Sequence, residues 1–142
     1  MRRVGLWVLL AGPLACGGGS SGPAQSGYAG TYSTTVTLLG TTCSPQPQVQ
    51  DNPTSIAQAA GSTSLAVTHA GTTYSGTVTS GGDFTIPATP VGGGANVVSI
   101  TGQFGGNGFT ATVHVQQQQP GCSYDVRWVG TKTSNDPGPY GP

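Results

Sequence analysis

The sequence predicts an all-β fold, a small antiparallel meander barrel of about seven or eight strands, with a β-sandwich as the alternative. Two observations predict strands. Apolar and polar residues alternate with a period of two through residues 97–132, the pattern of strands with one buried face. Glycine accounts for 25 of the 142 residues and only 6% are charged, which favours strands and tight turns over helices. Short turns join most of these strands in sequence order, and closure into a barrel hides the edges of such a meander.

The clearest segment, 97–132, contains three consecutive predicted strands. Gly105–Gly108 supplies the positive φ angles of a tight hairpin between the first two. Gln117–Gly121, which contains Pro120, predicts a longer polar connection to the third. The apolar faces of the three strands are Val98, Ile100, Gly102 and Phe104; Phe109, Ala111, Val113 and Val115; and Cys122, Tyr124, Val126 and Trp128.

The first half of the domain is less regular. Cys43–Gly61 contains three prolines and is predicted to be a long loop, in which Thr54–Ala60 forms at most a helical turn or a short edge strand. Pro87–Ala95 is predicted to be a second irregular loop. The remaining strands are predicted at residues 30–39, 63–69, 72–79 and 84–86.

The N-terminus has the layout of a secretory signal peptide. Met1–Arg3 is basic, and a mostly apolar run extends from there to Ala15. This run is shorter than the roughly 20 residues of a membrane-spanning helix. Either an ordinary signal is cleaved after Ala15, or Cys16 itself becomes the first residue of the mature chain.

Leu14-Ala15-Cys16, followed by Gly17–Gly22, resembles a bacterial lipoprotein signal and its flexible tether. The resemblance covers the first two dozen residues, and Pro13 departs from it where the family usually has leucine. It implies that Cys16 is lipidated and that the lipid anchor attaches the protein to a membrane of the cell envelope. In a Gram-negative cell, the residue directly after Cys16, Gly17 instead of aspartate, also implies the outer membrane, on its periplasmic or surface face.

These features divide the chain into four regions. Residues 1–15 are the signal peptide, and residues 16–27 are the lipidated cysteine with its Gly/Ser tether. Residues 28–133 form a single β domain. Residues 134–142 lack a core-forming pattern and are predicted to be a disordered tail.

With Cys16 lipidated, Cys43 and Cys122 remain as an even pair of cysteines. An oxidising compartment makes a disulfide between them the natural expectation. The rival, metal binding by the two thiols, lacks a Cys-x-x-Cys motif or an adjacent histidine. The sequence therefore predicts a disulfide, with no metal and no cofactor.

Two short features resemble small barrels of the lipocalin or avidin type. Gly30-Thr31-Tyr32 is similar to the Gly-x-Trp entry of lipocalins, with tyrosine in place of tryptophan. The resemblance implies that Arg127, on the last strand, packs over the Tyr32 ring.

The composition argues against enzymes and nucleic-acid binders. The sequence contains no glutamate, four dispersed aspartates and two histidines. These are few candidate side chains for acid–base or Ser-His-Asp catalysis. His69 and His114 are interpreted as solvated residues on strand faces, and Asp125 and Arg127 as an exposed pair. No basic stripe is left once the signal is removed, so nucleic-acid binding is excluded.

The sequence thus predicts a lipid-anchored cell-envelope protein whose non-catalytic β domain is a binding or scaffolding module. A small apolar ligand or a protein partner would bind at the barrel mouth or on the loops, among which Cys43–Gly61 is favoured. The alternatives are a structural surface lipoprotein without a ligand and a small barrel inhibitor of secreted proteases. A cavity lined by the large inward-facing side chains would favour ligand binding, and an interior filled by them would favour a structural role. These side chains are Tyr32, Tyr74, Phe84, Phe104 and Trp128.

Overall fold

The computed structural model of the protein describes residues 27–138. They form a closed barrel of eight antiparallel strands in sequence order, rather than a sandwich. The strands are β1 (Gly30–Thr41), β2 (Thr54–Ala57), β3 (Ser64–His69), β4 (Thr72–Val78), β5 (Asp83–Val91), β6 (Asn96–Gly105), β7 (Gly108–Gln117) and β8 (Cys122–Ser134). β8 pairs back with β1 from Ser134 to Tyr124, so each strand has a neighbour on both sides.

The strand β2 lies inside the predicted loop Cys43–Gly61, which is a correction to the sequence interpretation. It pairs with Gly30–Tyr32 on one side and with Ala66–His69 on the other. All four of its residues are buried. The prolines exclude a strand only as far as Pro53, and the residues that follow are needed to join β1 to β3 and close the barrel. The true loop at this position is 42–53.

The second predicted loop, Pro87–Ala95, is also shorter than expected. β5 continues through Pro87 and Pro90 to Val91, with a shift in its register against β6 between Ile86 and Thr89. Proline cannot donate to a ladder, and a bulge is one of the places in a sheet that tolerates it. A short 3-10 turn, Gly92–Gly94, then leads into β6. Among residues 27–138 no helix has the length and apolar character needed to cross a membrane.

The predicted alternation in residues 97–132 is confirmed. Side chains of the predicted apolar faces point into the barrel and form one core with residues of β3, β4 and β5. Gly102 and Gly130 are at inward-facing positions, where large rings occupy the space that a side chain would need. A Cβ atom at Gly102 would lie 2.4 Å from the Phe84 ring, and one at Gly130 would lie 2.2 Å from the Phe109 ring.

The two ends of the barrel differ. At one end, here called the closed end, aromatic rings pack against each other with centroids between 4.4 and 6.3 Å apart. The contributing residues are Tyr28, Tyr32, Phe84, Phe104 and Phe109. Gly27, whose carbonyl oxygen accepts a hydrogen bond of 2.6 Å from Lys132 Nζ, also lies at this end. The opposite, open end carries loop 42–53 and the connections 70–71, 92–95 and 118–121.

The residues after Thr133 lie along the outside of the barrel. Ser134 completes β8, the Thr31 hydroxyl donates to the carbonyl oxygen of Asp136 at 2.7 Å, and the Ser55 hydroxyl donates to that of Pro137. The sequence assigned these residues to a disordered tail, whereas in the structure Ser134, Asp136 and Pro137 hydrogen-bond to β1 and β2. This strap adds contacts to β2, the shortest strand.

Candidate functional site at the open end of the barrel

A cavity of about 350 Å³ occupies the open half of the barrel. Its walls combine valines, three aromatic residues and several amide side chains, and loop 42–53 borders its mouth. The valines are Val36, Val49, Val91, Val98, Val113, Val115 and Val126, the aromatic residues are Tyr74, Tyr124 and Trp128, and the amides are Gln48, Gln50, Asn52 and Asn96. The closed end, filled by aromatic rings, forms the floor. The barrel is therefore part solid and part hollow.

The five aromatic residues expected to decide between a cavity and a solid interior fall on both sides of this division. Tyr74 and Trp128 line the cavity. Tyr32, Phe84 and Phe104 belong to the packed closed end. The structure therefore shows neither a cavity lined by all five nor an interior filled by all five, because the large rings of β1, β5 and β6 fill one end only.

His69 is part of the cavity wall, which corrects its interpretation as a solvated residue. It is 8% exposed, and its imidazole stacks on the Trp128 indole. Burial lowers the pKa of His69 from 6.5 to about 4. The ring is therefore neutral at neutral pH.

A chain of hydroxyl groups holds the His69 ring. Nδ1 of His69 lies 2.9 Å from Oγ1 of Thr54, and this oxygen lies 2.7 Å from Oγ1 of Thr34. The Thr34 hydroxyl donates to the carbonyl oxygen of Tyr32 at 3.5 Å. Both threonines are buried and face inward, so the barrel interior contains one continuous polar path among apolar walls. The orientation of the ring is thereby fixed from β1 and β2.

The two tyrosines of the wall are also partly shielded from water. Burial raises the pKa of Tyr124. Burial also raises the pKa of Tyr74, although a hydrogen bond with the Thr72 side chain lowers it, and the neighbouring Tyr124 adds a smaller upward contribution. Both hydroxyls are therefore neutral at physiological pH and can donate or accept one hydrogen bond each. The valine walls together with these neutral polar groups define a site for an uncharged molecule.

Loop 42–53 is held over the mouth at both ends. At its start, Cys43 forms the predicted disulfide with Cys122, the first residue of β8. Near its end, Oδ1 of Asp51 accepts a hydrogen bond of 2.7 Å from the backbone N–H of Val36. Between these points Val49 is half buried and packs against the core. The loop thus acts as a fixed rim with one apolar side chain directed into the mouth.

The remaining residues singled out in the sequence lie away from the cavity. Cys16 lies outside the described residues. His114 Nδ1 is 2.7 Å from Asp125 Oδ1 on the outer surface, where both side chains are about half exposed, so Asp125 pairs with His114 instead of Arg127. Arg127 is exposed and does not cover Tyr32; Lys132 does, with Nζ 5.8 Å from the ring centroid.

An outer groove of similar volume, about 390 Å³, runs between β2–β3 and Pro137–Gly138. Three hydroxyl groups on its walls are already paired, Thr31 with Asp136, Ser55 with Pro137 and Thr68 with Thr73. Among the described residues no aromatic side chain lines it. We therefore regard the inner cavity as the better candidate for a binding site.

Sequence reasoning did not assign His69 to the site, and it favoured the loop that contains Val49 without singling out this side chain. The alternation of Leu65, Val67 and His69 on one strand face was a usable signal, since it places the imidazole inward. Nothing in the local pattern around Val49, which follows Pro45 and Pro47, indicates that its side chain is buried.

No protein-family model, curated protein or solved structure matches this chain. Within residues 27–138, no three His, Cys, Asp or Glu side chains lie together in an arrangement that could hold a metal ion. The geometry of the cavity is therefore the main indication of function.

Proposed function

We propose that this protein is a non-catalytic binding protein that takes up a small, largely apolar ligand at the open end of its barrel. The observation that carries the proposal is the division of the interior into a packed aromatic end and an open apolar cavity. Ligand pockets typically have volumes of about 300 to 1,000 Å³ and combine apolar walls with a few polar groups. The cavity of about 350 Å³ is at the lower end of this range.

The size of the cavity limits the ligand. An engineered cavity of about 150 Å³ binds benzene, so roughly twice that volume suits a molecule of two fused rings or a short branched chain. Burial of apolar ligand surface contributes about 25 cal/mol per Å², and a preformed site reduces the cost of ordering the protein. We expect affinities in the micromolar range for well-fitting ligands.

The alternative functions fit this geometry less well. A purely structural lipoprotein does not require a hollow end, and a filled barrel would be more stable. A protease inhibitor of this shape would insert an exposed loop into the protease; loop 42–53 is exposed over most of its length, but its Val49 packs against the core and borders the cavity. The loop-based recognition favoured from the sequence is therefore secondary in our proposal to binding in the cavity.

We further propose that the protein acts in the cell envelope, attached through lipid on Cys16 to the outer membrane. The supporting observation is the sequence around Cys16, and the disulfide is consistent with an oxidising compartment. The test is phase separation in detergent and mass analysis of the mature N-terminus. Cys16→Ser should move the protein to the aqueous phase, and a wild-type N-terminus with a free thiol would overturn the anchor.

Ligand binding can be tested with small neutral probes. In a Trp7→Phe background Trp128 is the sole tryptophan, because the sequence has two, and its fluorescence reports occupancy of the cavity. We expect naphthalene derivatives to change this fluorescence with saturation. Val115→Phe, which fills the mouth, should weaken binding of every probe at least tenfold.

Thr112→Phe is the matched control, because it places the same ring on the exposed face of the same strand. It should leave the affinities of the probes unchanged. Equal affinities in the Val115→Phe variant and the parent protein, or no saturable signal with any probe, would contradict the proposed function.

A further inference from the structure

Resting on the proposed function, we infer that Nε2 of His69 accepts a hydrogen bond from the ligand. The preferred ligand is then an uncharged molecule with an apolar body and one hydrogen-bond donor, a hydroxyl or an N–H group. Three features of the cavity carry this inference: the absence of charge on its described walls, the free ring nitrogen of His69, and the direction of the hydrogen bonds behind that ring.

The first feature is the lack of charge. Among the described residues that line the cavity there is no Asp, Glu, Lys or Arg. His69 is neutral at physiological pH because burial lowers its pKa. An ionised ligand would enter an environment without a counter-charge, and an unpaired buried charge costs several kcal/mol. The walls therefore select against both anions and cations.

The second feature is the free nitrogen. Nδ1 of His69 is occupied by Thr54, while Nε2 forms no hydrogen bond with any residue in the range 27–138. Every fully buried side-chain nitrogen or oxygen among these residues has a hydrogen-bond partner. Nε2 of His69, which has none, is therefore not fully buried. His69 lines the cavity, and we infer that its Nε2 faces this space. A ligand that leaves this atom without a partner pays for its desolvation.

The third feature is the direction of the hydrogen bonds. Each hydroxyl has one proton, and we assign that of Thr34 to the carbonyl oxygen of Tyr32, a long contact of 3.5 Å. Thr34 must then accept from Thr54, and Thr54 in turn must accept from Nδ1–H of His69. This arrangement makes three hydrogen bonds, whereas the reverse direction makes only two. The imidazole proton thus resides on Nδ1, and Nε2 presents a lone pair to the cavity.

The inference can be tested with four probes that share one ring system: naphthalene, 2-methoxynaphthalene, 2-naphthol and 2-naphthoate. Their affinities would be measured on the full-length Trp7→Phe protein at neutral pH by Trp128 fluorescence. Net hydrogen-bond energies of about 0.5 to 1.5 kcal/mol correspond to a preference of about threefold to tenfold. We expect 2-naphthol to bind more tightly than naphthalene and 2-methoxynaphthalene by this factor, and 2-naphthoate to bind most weakly.

Substitutions then test whether His69 is responsible for the preference for 2-naphthol. His69→Phe should abolish the preference for 2-naphthol over naphthalene and 2-methoxynaphthalene. Thr54 is a positioning residue: Thr54→Val, which removes the acceptor for Nδ1–H, should reduce the preference, and Thr54→Ser, which keeps the hydroxyl, should retain it. The nitrogen chemical shifts of His69 provide a readout without ligand, with Nδ1 protonated and Nε2 unprotonated in the parent protein.

The outcomes distinguish this inference from the proposed function. If the probes bind but 2-naphthol and 2-methoxynaphthalene have equal affinities, or if 2-naphthoate binds most tightly, the inference is wrong and the proposed function stands. A protonated Nε2 in the parent protein also overturns the inference. If no probe binds, both proposals fail together.

Discussion

The imidazole of His69 stacks on the indole of Trp128, with ring centroids 4.1 Å apart and an angle of 27° between the planes. His69 belongs to β3 and Trp128 to β8, and β1 and β2 lie between these strands in the sheet. The stack therefore reaches across the interior of the barrel instead of along its wall. It connects the short side of the barrel, β2 and β3, to the long strand β8.

The buried imidazole makes stability dependent on pH. The pKa of His69 is about 4 in the folded protein against 6.5 for the free side chain, so the unfolded chain binds a proton first as the pH falls. His69 therefore contributes stability that is fully present above pH 6.5 and is lost as the pH falls towards 4. We expect a loss of up to about 3 kcal/mol from this group.

Thermal unfolding of the parent protein and of His69→Phe, measured from neutral pH to about pH 4, checks this prediction. The variant should show the smaller decrease of Tm with pH. His114→Gln is the control, because this histidine lies on the outer surface, and it should keep the steeper dependence. Parallel curves for the parent and His69→Phe would contradict the assignment.

The disulfide should be a main source of stability. It joins residues 79 positions apart, and the chain-entropy model gives about 4 to 5 kcal/mol for a loop of this length. We expect the Cys43→Ser/Cys122→Ser double variant to unfold at a clearly lower urea concentration and temperature than the parent protein. Cys16→Ser, which keeps the bond, should match the parent protein in the same buffer. Identical midpoints for the double variant and the parent would refute this expectation.

The inward-facing glycines should resist substitution. Alanine at Gly102 or Gly130 would place a Cβ atom within 2.4 Å of an aromatic ring, and overpacking of this kind costs about 1 to 3 kcal/mol. Gly105 lies on the same strand as Gly102, but a Cβ atom added there would have no heavy atom within 4 Å. Urea unfolding should therefore show large losses for Gly102→Ala and Gly130→Ala and little change for Gly105→Ala.

Val49 should control ligand exchange rather than stability. Its side chain packs at the mouth, while Cys43 and Asp51 hold the loop on either side. We expect Val49→Ser to increase the dissociation rate of naphthalene probes in stopped-flow measurements and to change Tm only slightly. Gln46→Ser, at an exposed position of the same loop, serves as the control. Unchanged dissociation in Val49→Ser would show that this side chain does not limit exit.

The sequence was sufficient for the regular part of the barrel. In residues 97–132 each strand is long enough for the alternation to repeat several times, and the structure places these side chains as predicted. β2 was missed because a strand of four residues offers only one large apolar side chain, Ile56. Its position is decided by its partners Tyr32 and His69, which are remote in sequence.

The candidate site was harder to predict for the same reason. The pattern of β3 places His69 inward, but its polar side chain suggested solvent, and only Thr54 and Trp128 explain how it is accommodated. The cation beside Tyr32 was predicted to be Arg127, whose alternation with Val126 and Trp128 directs it outward. Lys132 takes this place because it lies where the strand leaves the barrel and can reach Gly27.

The position of Gly27 at the closed end determines how the barrel would be presented to its surroundings. A linker that enters there holds the molecule by its base, with the cavity turned away from the point of attachment. On the proposed lipid anchor, ligands would arrive from the aqueous side and exchange without passing through the bilayer. For the same reason, a protein coupled to a sensor surface through its N-terminal segment would leave the binding site free to the flowing solution.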